Sequence, residues 1–254
     1  MNDRLPVGVT ITAVERETSS VSTIRFDRPF SFVPGQFVMV WVPGVDEVPM
    51  ALSSEDTITV QNVGEATAAL GALTPGDVVG IRGPFGNGFP LVRGTLAVAG
   101  GLGTAPLLPL AEAGYVDTFV LGAKTAGDLL FRERLSRCAS VRIMTDDGTA
   151  GTKGYAVQGL EGLDLSAFSR IAVCGPEMMM AGVLTFLRAS GRAGAGMFSL
   201  HRYMKCGCGV CGSCCIDPTG ARVCREGPVF SGTELEGTEF GIYHREGSGR
   251  KRHF

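Results

Sequence analysis

Between residues 6 and 92 the apolar positions fall into short runs separated by Pro, Gly and Asp turn signals. The runs cover 7–14, 21–26, 36–42, 57–62 and 78–82, and strands this short at this spacing predict a small antiparallel β-barrel. One helical stretch, 66–73, interrupts them and stops at Thr-Pro-Gly-Asp, where proline cannot continue a helix. From Thr95 the rhythm changes. Apolar runs at 96–99, 118–121, 141–145 and 171–174 alternate with helical stretches such as 105–113 and 177–190, which predicts a parallel sheet covered by helices. After Phe198 both periods fade into a stretch too rich in glycine to pack on its own side chains. The expected architecture is β-barrel plus α/β: a barrel over 1–93, an α/β domain over 94–198, a cysteine-rich segment over 199–240 and a solvated, frayed tail over 241–254.

Composition narrows the function classes. With 23 basic and 25 acidic residues the net charge is −2, so no strong field attracts nucleic acid or anionic lipid, and neither is an expected partner. No run of eighteen apolar residues offers a membrane span, and the N-terminal stretch has no apolar signal-peptide core, so the expected location is cytoplasmic. A chain of 254 residues buries a core without disulfide staples, which leaves its eight cysteines free for chemistry. Glycine, at 37 residues, is about twice as frequent as usual and clusters beside strand ends.

Six of those cysteines crowd into Cys206-Gly-Cys-Gly-Val-Cys-Gly-Ser-Cys-Cys-Ile-Asp-Pro-Thr-Gly-Ala-Arg-Val-Cys224. Cys206, Cys211, Cys214 and Cys224 form C-x4-C-x2-C-x9-C, and the first three match the plant-type [2Fe–2S] ligand loop. The rival is a closed zinc site, although structural zinc usually takes two short C-x2–4-C knuckles separated by a longer stretch. Cys208 and Cys215 fall outside the spacing and read as spare thiols. His201 reads as a surface or hydrogen-bonding residue, since four cysteines already complete a ligand set.

Two strand ends carry a second chemistry. In Leu96-Ala-Val-Ala-Gly-Gly-Leu-Gly-Thr-Ala-Pro106 an apolar strand runs through Gly100, Gly101 and Gly103 to Thr104 at the start of a helix, a setting that suits a pyrophosphate and equally a tight turn. Ile171-Ala-Val-Cys-Gly-Pro-Glu repeats the arrangement with Cys174, Gly175 and Pro176, and ligands of open parallel sheets bind beyond such carboxyl ends. Cys174 also reads as a small buried hydrophobe, and residues 178–180, all Met, as core. Lys124, after a third strand end, meets a phosphate or merely water.

Together, the barrel, Ala-Gly-Gly-Leu-Gly-Thr-Ala-Pro and Cys-Gly-Pro resemble the ferredoxin reductase superfamily. More narrowly, Gly83-Pro-Phe-Gly-Asn-Gly-Phe89, Asp146-Asp-Gly-Thr-Ala-Gly-Thr-Lys-Gly154 and Ser199-Leu-His-Arg-Tyr-Met-Lys-Cys206 with its cysteine loop look like the electron-transfer subunits of two-flavin dihydroorotate dehydrogenases. The resemblance implies FAD between barrel and α/β domain, NAD beside Cys174, and a [2Fe–2S] cluster on the four cysteines. It also implies a partner, an FMN-containing catalytic subunit that oxidises dihydroorotate in pyrimidine biosynthesis, in a heterotetramer with two of each chain. Val63, Gly64 and Thr67 match a Gly-x-x-Thr element at the flavin pyrophosphate, against the plainer reading of a capped helix. Pro49, Met50, Ala51, Leu52 and Ser53 match the flavin-facing strand, but relatives carry Arg-Pro-x-Ser where this chain has Val48-Pro-Met-Ala51. Arg82 is the nearest basic substitute for the arginine, and Ser53 or Ser54 for the hydroxyl. Asp146, Asp147 and Gly148 would lie near the flavin ring, or form a solvated turn. The same modules would build the small subunit of an NADH-dependent ferredoxin:NADP reductase or sulfide dehydrogenase. A non-enzymatic reading is a metal-binding module that has lost its flavin.

Overall fold

The computed structural model describes residues 5–254, so the first four residues of the expected barrel domain lie outside the described residues. Six strands, β1 (Val7–Arg16), β2 (Val21–Phe26), β3 (Phe37–Val42), β4 (Asp46–Ser54), β5 (Thr57–Gln61) and β6 (Val78–Phe85), close an antiparallel barrel in the order β1-β2-β5-β4-β3-β6. The helix α1 (Glu65–Gly71) bridges β5 and β6. β4 escapes the sequence pattern because Asp46, Glu47 and Pro49 dilute its apolar signal. It becomes a strand by pairing with β3, from Phe37 opposite Ala51 to Val42 opposite Asp46.

Strand β3 shows how the second domain meets the barrel. Its side chains alternate between two faces: Val38, Val40 and Val42 fill the barrel core, whereas Phe37 and Met39 are buried in a core shared with the α/β domain. Trp41, at the far end of the outer face, remains exposed.

The first strand of the parallel sheet starts at Thr95. The α/β elements are β7 (Thr95–Gly100), α2 (Thr104–Glu112), β8 (Val116–Ala123), α3 (Arg132–Ser136), β9 (Ser140–Thr145), β10 (Thr152–Lys153), β11 (Arg170–Cys174), α4 (Glu177–Ala189) and β12 (Gly196–Ser199). These strands are parallel in the order β10-β9-β8-β7-β11-β12. Leu96 and Val98 of β7 face the core beneath α4, and Ala97 and Ala99 face the core beneath α2, so the sheet is covered on both sides.

The cysteine-rich segment is less separate than its composition implies. It contains a small hairpin, β13 (Cys215–Ile216) with β14 (Ala221–Arg222), and then β15 (Val229–Ser231), which pairs antiparallel with β12 and extends the main sheet to seven strands. Strands of two to four residues are too short to show a period. The expected fraying of the tail is likewise corrected: β16 (Tyr243–Arg245) and β17 (Lys251–His253) pair with each other, while residues 247–254 are exposed, as expected. Among the described residues no helix is long and apolar enough to cross a membrane.

Candidate functional site

A cleft of about 1200 Å³ opens where the barrel, the carboxyl ends of the parallel strands and the segment leading to the cysteine loop converge. Pockets for drug-sized ligands run to roughly 300–1,000 Å³, so this one has room for a dinucleotide. The rear wall comes from the two strand ends singled out in the sequence. Gly100, Gly101 and Gly103 line it from β7, and Gly175 and Pro176 from β11. The glycines serve different ends. At Gly101 φ is +52° and the space a Cβ would fill is empty, so the backbone there is open to a ligand. At Gly103 a Cβ would stand 2.2 Å from the Cys174 carbonyl oxygen, so that glycine is required by contact between the two strand ends.

Cys174 and Thr104 lie behind this wall and do not line the cleft. The Thr104 hydroxyl donates to the Gly101 carbonyl at 2.8 Å and shapes the turn. The Cys174 thiol is fully buried, points at the Ser199 carbonyl 3.8 Å away, and is pushed up to about 12 by burial. It behaves as the small hydrophobe of the plainer reading. His201 Nε2 lies 3.8 Å from the same sulfur, and the exposed His201 side chain opens onto the cleft. Loss of solvation beside the cleft wall, with the neighbouring Arg202 charge, lowers its pKa. Of the three methionines expected in the core only Met180 is buried there. Met178 is 55% exposed and lines the cleft with Met179, because the start of α4 faces the cleft instead of the sheet.

The barrel side brings part of the expected flavin strand to the cleft. Pro49, Met50 and Ala51 line the cleft, but Leu52 turns into the barrel core and Ser53 is buried away from the cleft. The Ser53 hydroxyl is bound to Thr57 and Thr59, each at 2.9 Å, and Ser54 to Asp56 and Thr57, so neither replaces a lost phosphate ligand. Val48 packs on the barrel core. Arg82 does not face the cleft either. Its guanidinium forks onto Glu47, Nε to Oε1 at 2.7 Å and Nη2 to Oε2 at 2.5 Å, and Nη2 also donates to the Cys206 carbonyl at 3.3 Å. Among the described residues lining the cleft, Lys124 is the one cation without a carboxylate partner. The barrel therefore offers a flavin pyrophosphate hydrogen bonds and no cation.

Val63 and Thr67 line the cleft, but the Thr67 hydroxyl caps α1: it accepts from the Val63 and Gly64 N–H groups at 3.0 and 2.9 Å and donates to the Gly64 carbonyl. Asp146 lines the cleft opposite. Asp147 accepts from the Thr149 amide and hydroxyl, which hold its carboxyl below the ordinary range, and Gly148 lies against Lys153, so these two residues build the loop and do not face a ligand. Sequence reading missed Phe37, Met204, His244 and Phe254, all of which line the cleft. Only the alternation of β3 hinted at Phe37, and no local signal marks the others.

The cysteine loop lies against the outer face of the barrel. A Cβ on Gly207 would stand 2.7 Å from Met39 Cγ and 3.2 Å from the Phe85 ring, and φ there is +69°. The loop is wound so that amides point at sulfur: Val210 N–H donates to Cys206 Sγ at 3.3 Å and Cys224 N–H to Cys214 Sγ at 3.4 Å. Burial opposes ionisation of Cys206, but the N–H groups of Cys211, Val210 and Cys208 outweigh it and bring the thiol down to about 6. Burial and the neighbouring Cys214 push Cys224 the other way, and the charge of Cys206 adds to that shift. Among the described residues no three His, Cys, Asp or Glu side chains converge closely enough to hold a metal ion. The donor set itself, thiols supported by backbone N–H groups, fits an iron–sulfur cluster.

A buried charge cluster ties these parts together. Arg202, 3% exposed at its side chain, pairs with Glu177 at the start of α4 and with Glu239, its Nε 3.4 Å from Glu239 Oε1. Glu177 also accepts from the Gly241 amide at 2.9 Å, and Glu239 from the Asp217 amide at 3.1 Å.

Residues 201–236 match the family model for the iron–sulfur cluster binding domain of dihydroorotate dehydrogenase B. The chain is 49% identical to a probable dihydroorotate dehydrogenase B (NAD(+)) electron transfer subunit of Methanocella arvoryzae, covering 97% of this chain and 98% of the relative. It is 42% identical to the Methanocaldococcus jannaschii protein of the same description, covering 98% and 99%. Among solved structures, that of an NADH-dependent reduced ferredoxin-NADP oxidoreductase superposes with a TM-score of 0.74 over 89% of this chain and 88% of that one, at 26% identity. The FAD/NAD binding domain of a Vibrio cholerae nitric oxide dioxygenase, at 19% identity and a TM-score of 0.69, shares the fold over 76% of this chain and 98% of that one. The chain belongs to the family of electron transfer subunits of dihydroorotate dehydrogenase B (NAD(+)).

Proposed function

We propose that the chain relays electrons between a catalytic subunit that oxidises dihydroorotate on FMN and NAD, through a [2Fe–2S] cluster on Cys206, Cys211, Cys214 and Cys224 and FAD in the cleft. Two of each chain would form the complex. A hydride carries two electrons and a cluster passes one at a time, and FAD exchanges both. The chain's own residues supply the positions. Gly101, Gly175 and Pro176 bring the nicotinamide dinucleotide against the sheet ends, Pro49, Met50 and Ala51 form the flavin-side wall, and His201 and Asp146 face the space between. No general acid or base is needed, because the chemistry is positioning and redox tuning.

One observation carries this reading: the two sites adjoin. Met204 lines the cleft and Cys206 follows two residues later, and two residues of extended chain span at most about 7 Å. Phe37 also lines the cleft and packs at a tilt against Phe85, ring centroids 6.0 Å apart, against which Gly207 of the cysteine loop packs. The full-length identity to dihydroorotate dehydrogenase B subunits favours this reading over a ferredoxin:NADP reductase and over a module without flavin.

The test is co-expression with candidate catalytic subunits. Dihydroorotate-dependent NAD reduction is expected only when both chains are present. Cys214→Ser should abolish the iron–sulfur electron paramagnetic resonance signal and that activity, whereas Cys208→Ser should retain both. Purified wild-type protein that lacks acid-labile sulfide and extractable FAD would refute the proposal.

A further inference from the structure

The Arg82–Glu47 pair is the strongest feature that the relay does not yet use. Both residues flank β3 on the barrel wall: Trp41 is opposite Glu47 on β4, and Met39 is opposite Arg82 on β6. Met39 is also the residue against which Gly207 packs, so the pair stands beside the seat of the cysteine loop. Side-chain exposure is 12% for Arg82 and 23% for Glu47, so water screens the pair weakly. The guanidinium spends its fork on Glu47 and one further hydrogen bond on the Cys206 carbonyl, and the Phe85 ring lies 5.7 Å beneath its central carbon. A cation held beside thiolates, with a carboxylate that tempers it, has an electrostatic consequence.

We propose that Arg82 and Glu47 form a charge regulator of the cluster: Arg82, fixed on the Cys206 carbonyl, raises its reduction potential, and Glu47 limits the rise. The proposal rests on the assignment of the cluster to Cys206, Cys211, Cys214 and Cys224. When reduced flavin or the partner's reduced centre gives one electron to the cluster, the cluster gains one negative charge and no bond is made or broken. A nearby fixed cation stabilises the more negative state, and a nearby fixed carboxylate destabilises it. The two side chains therefore act with opposite sign. Because the fork neutralises most of the arginine's field, removal of either partner exposes the charge of the other.

The test is a redox titration of the cluster, followed by electron paramagnetic resonance, in the complex loaded with all cofactors. Arg82→Gln should lower the midpoint potential, Glu47→Gln should raise it, and Arg82→Lys should fall between wild type and Arg82→Gln. Opposite shifts support the regulator, since loss of mere packing would move both variants the same way. Shifts of the same sign, or an unshifted potential in Glu47→Gln, overturn it. If Arg82→Gln fails to assemble a cluster, the Glu47→Gln arm decides alone. A wild-type protein without iron and acid-labile sulfide overturns the cluster assignment and the regulator with it, whereas a normal cluster with unmoved potentials overturns only the regulator.

Discussion

Neighbouring glycines in the nucleotide-binding turn have separable duties, and substitution distinguishes them. A Cβ at position 103 collides with backbone, the Cys174 carbonyl, which cannot swing aside. Gly103→Ala should therefore destabilise the protein by about 1–3 kcal/mol, read as a lowered melting temperature even without nucleotide. Gly101→Ala meets no neighbour, and only its left-handed backbone resists, at about 1–2 kcal/mol. Its larger effect should fall on nucleotide affinity, seen as a raised KM for NAD, because the added methyl occupies space facing the cleft. Equal loss of stability with unchanged KM in both variants would contradict this division. The cysteines divide likewise. Cys206 is pulled toward the thiolate by backbone N–H groups, whereas Cys174, at the end of β11, is held neutral by burial.

At the scale of elements, the C-terminal hairpin of β16 and β17 is fastened by one carboxylate. Asp217 accepts from the Tyr243 hydroxyl at 2.7 Å and from Arg245 at 2.6 Å, and pairs with Lys251 at 3.4 Å. The Tyr243 hydrogen bond leads the contributions that hold its carboxyl below the ordinary value of 3.8, against a small opposing effect of burial. A carboxylate depressed in the folded state stabilises it fully above the unfolded pKa and loses that contribution as pH falls through the lower folded value. The hairpin should accordingly loosen below about pH 4, the ordinary aspartate range. Asp217→Asn should loosen it at neutral pH by about 0.5–1 kcal/mol, since the groups are partly exposed. Amide exchange of residues 243–253 measures both effects, and unchanged protection in Asp217→Asn would show that the hairpin is held otherwise. Because His244 and Phe254 border the cleft, their rings 5.0 Å apart, the variant should also alter ligand binding there.

For the whole molecule, Arg202 joins parts that come from three stretches of sequence: the start of α4, the approach to the cysteine loop and the segment beyond β15. Removing one partner from a buried ion cluster costs about 3–5 kcal/mol, because the remaining charges stay buried without compensation. Arg202→Met should therefore lower the melting temperature markedly, and Glu177→Gln combined with Glu239→Gln in that background should restore part of the loss. Thermal unfolding of the two variants is the measurement, and no restoration in the triple variant would mean that shape, not charge, makes Arg202 necessary.

By itself the sequence determined whatever depends on local pattern: the change of rhythm at Thr95, the glycine-rich strand ends and the spacing of Cys206, Cys211, Cys214 and Cys224. Those signals need only neighbours along the chain. It also showed that Val48 stands where an arginine was expected. The tertiary structure alone decided what depends on the direction of a side chain or the pairing of distant segments. β4 and β15 exist because β3 and β12 offer them partners, and Met178 faces the cleft because α4 starts at its edge. Arg82 turns to Glu47 and the cysteine loop, and Leu52 into the barrel, because a closed barrel gives each residue one of two faces. Periodicity assigns a residue to a face, but which face meets a ligand depends on the domain that packs against it.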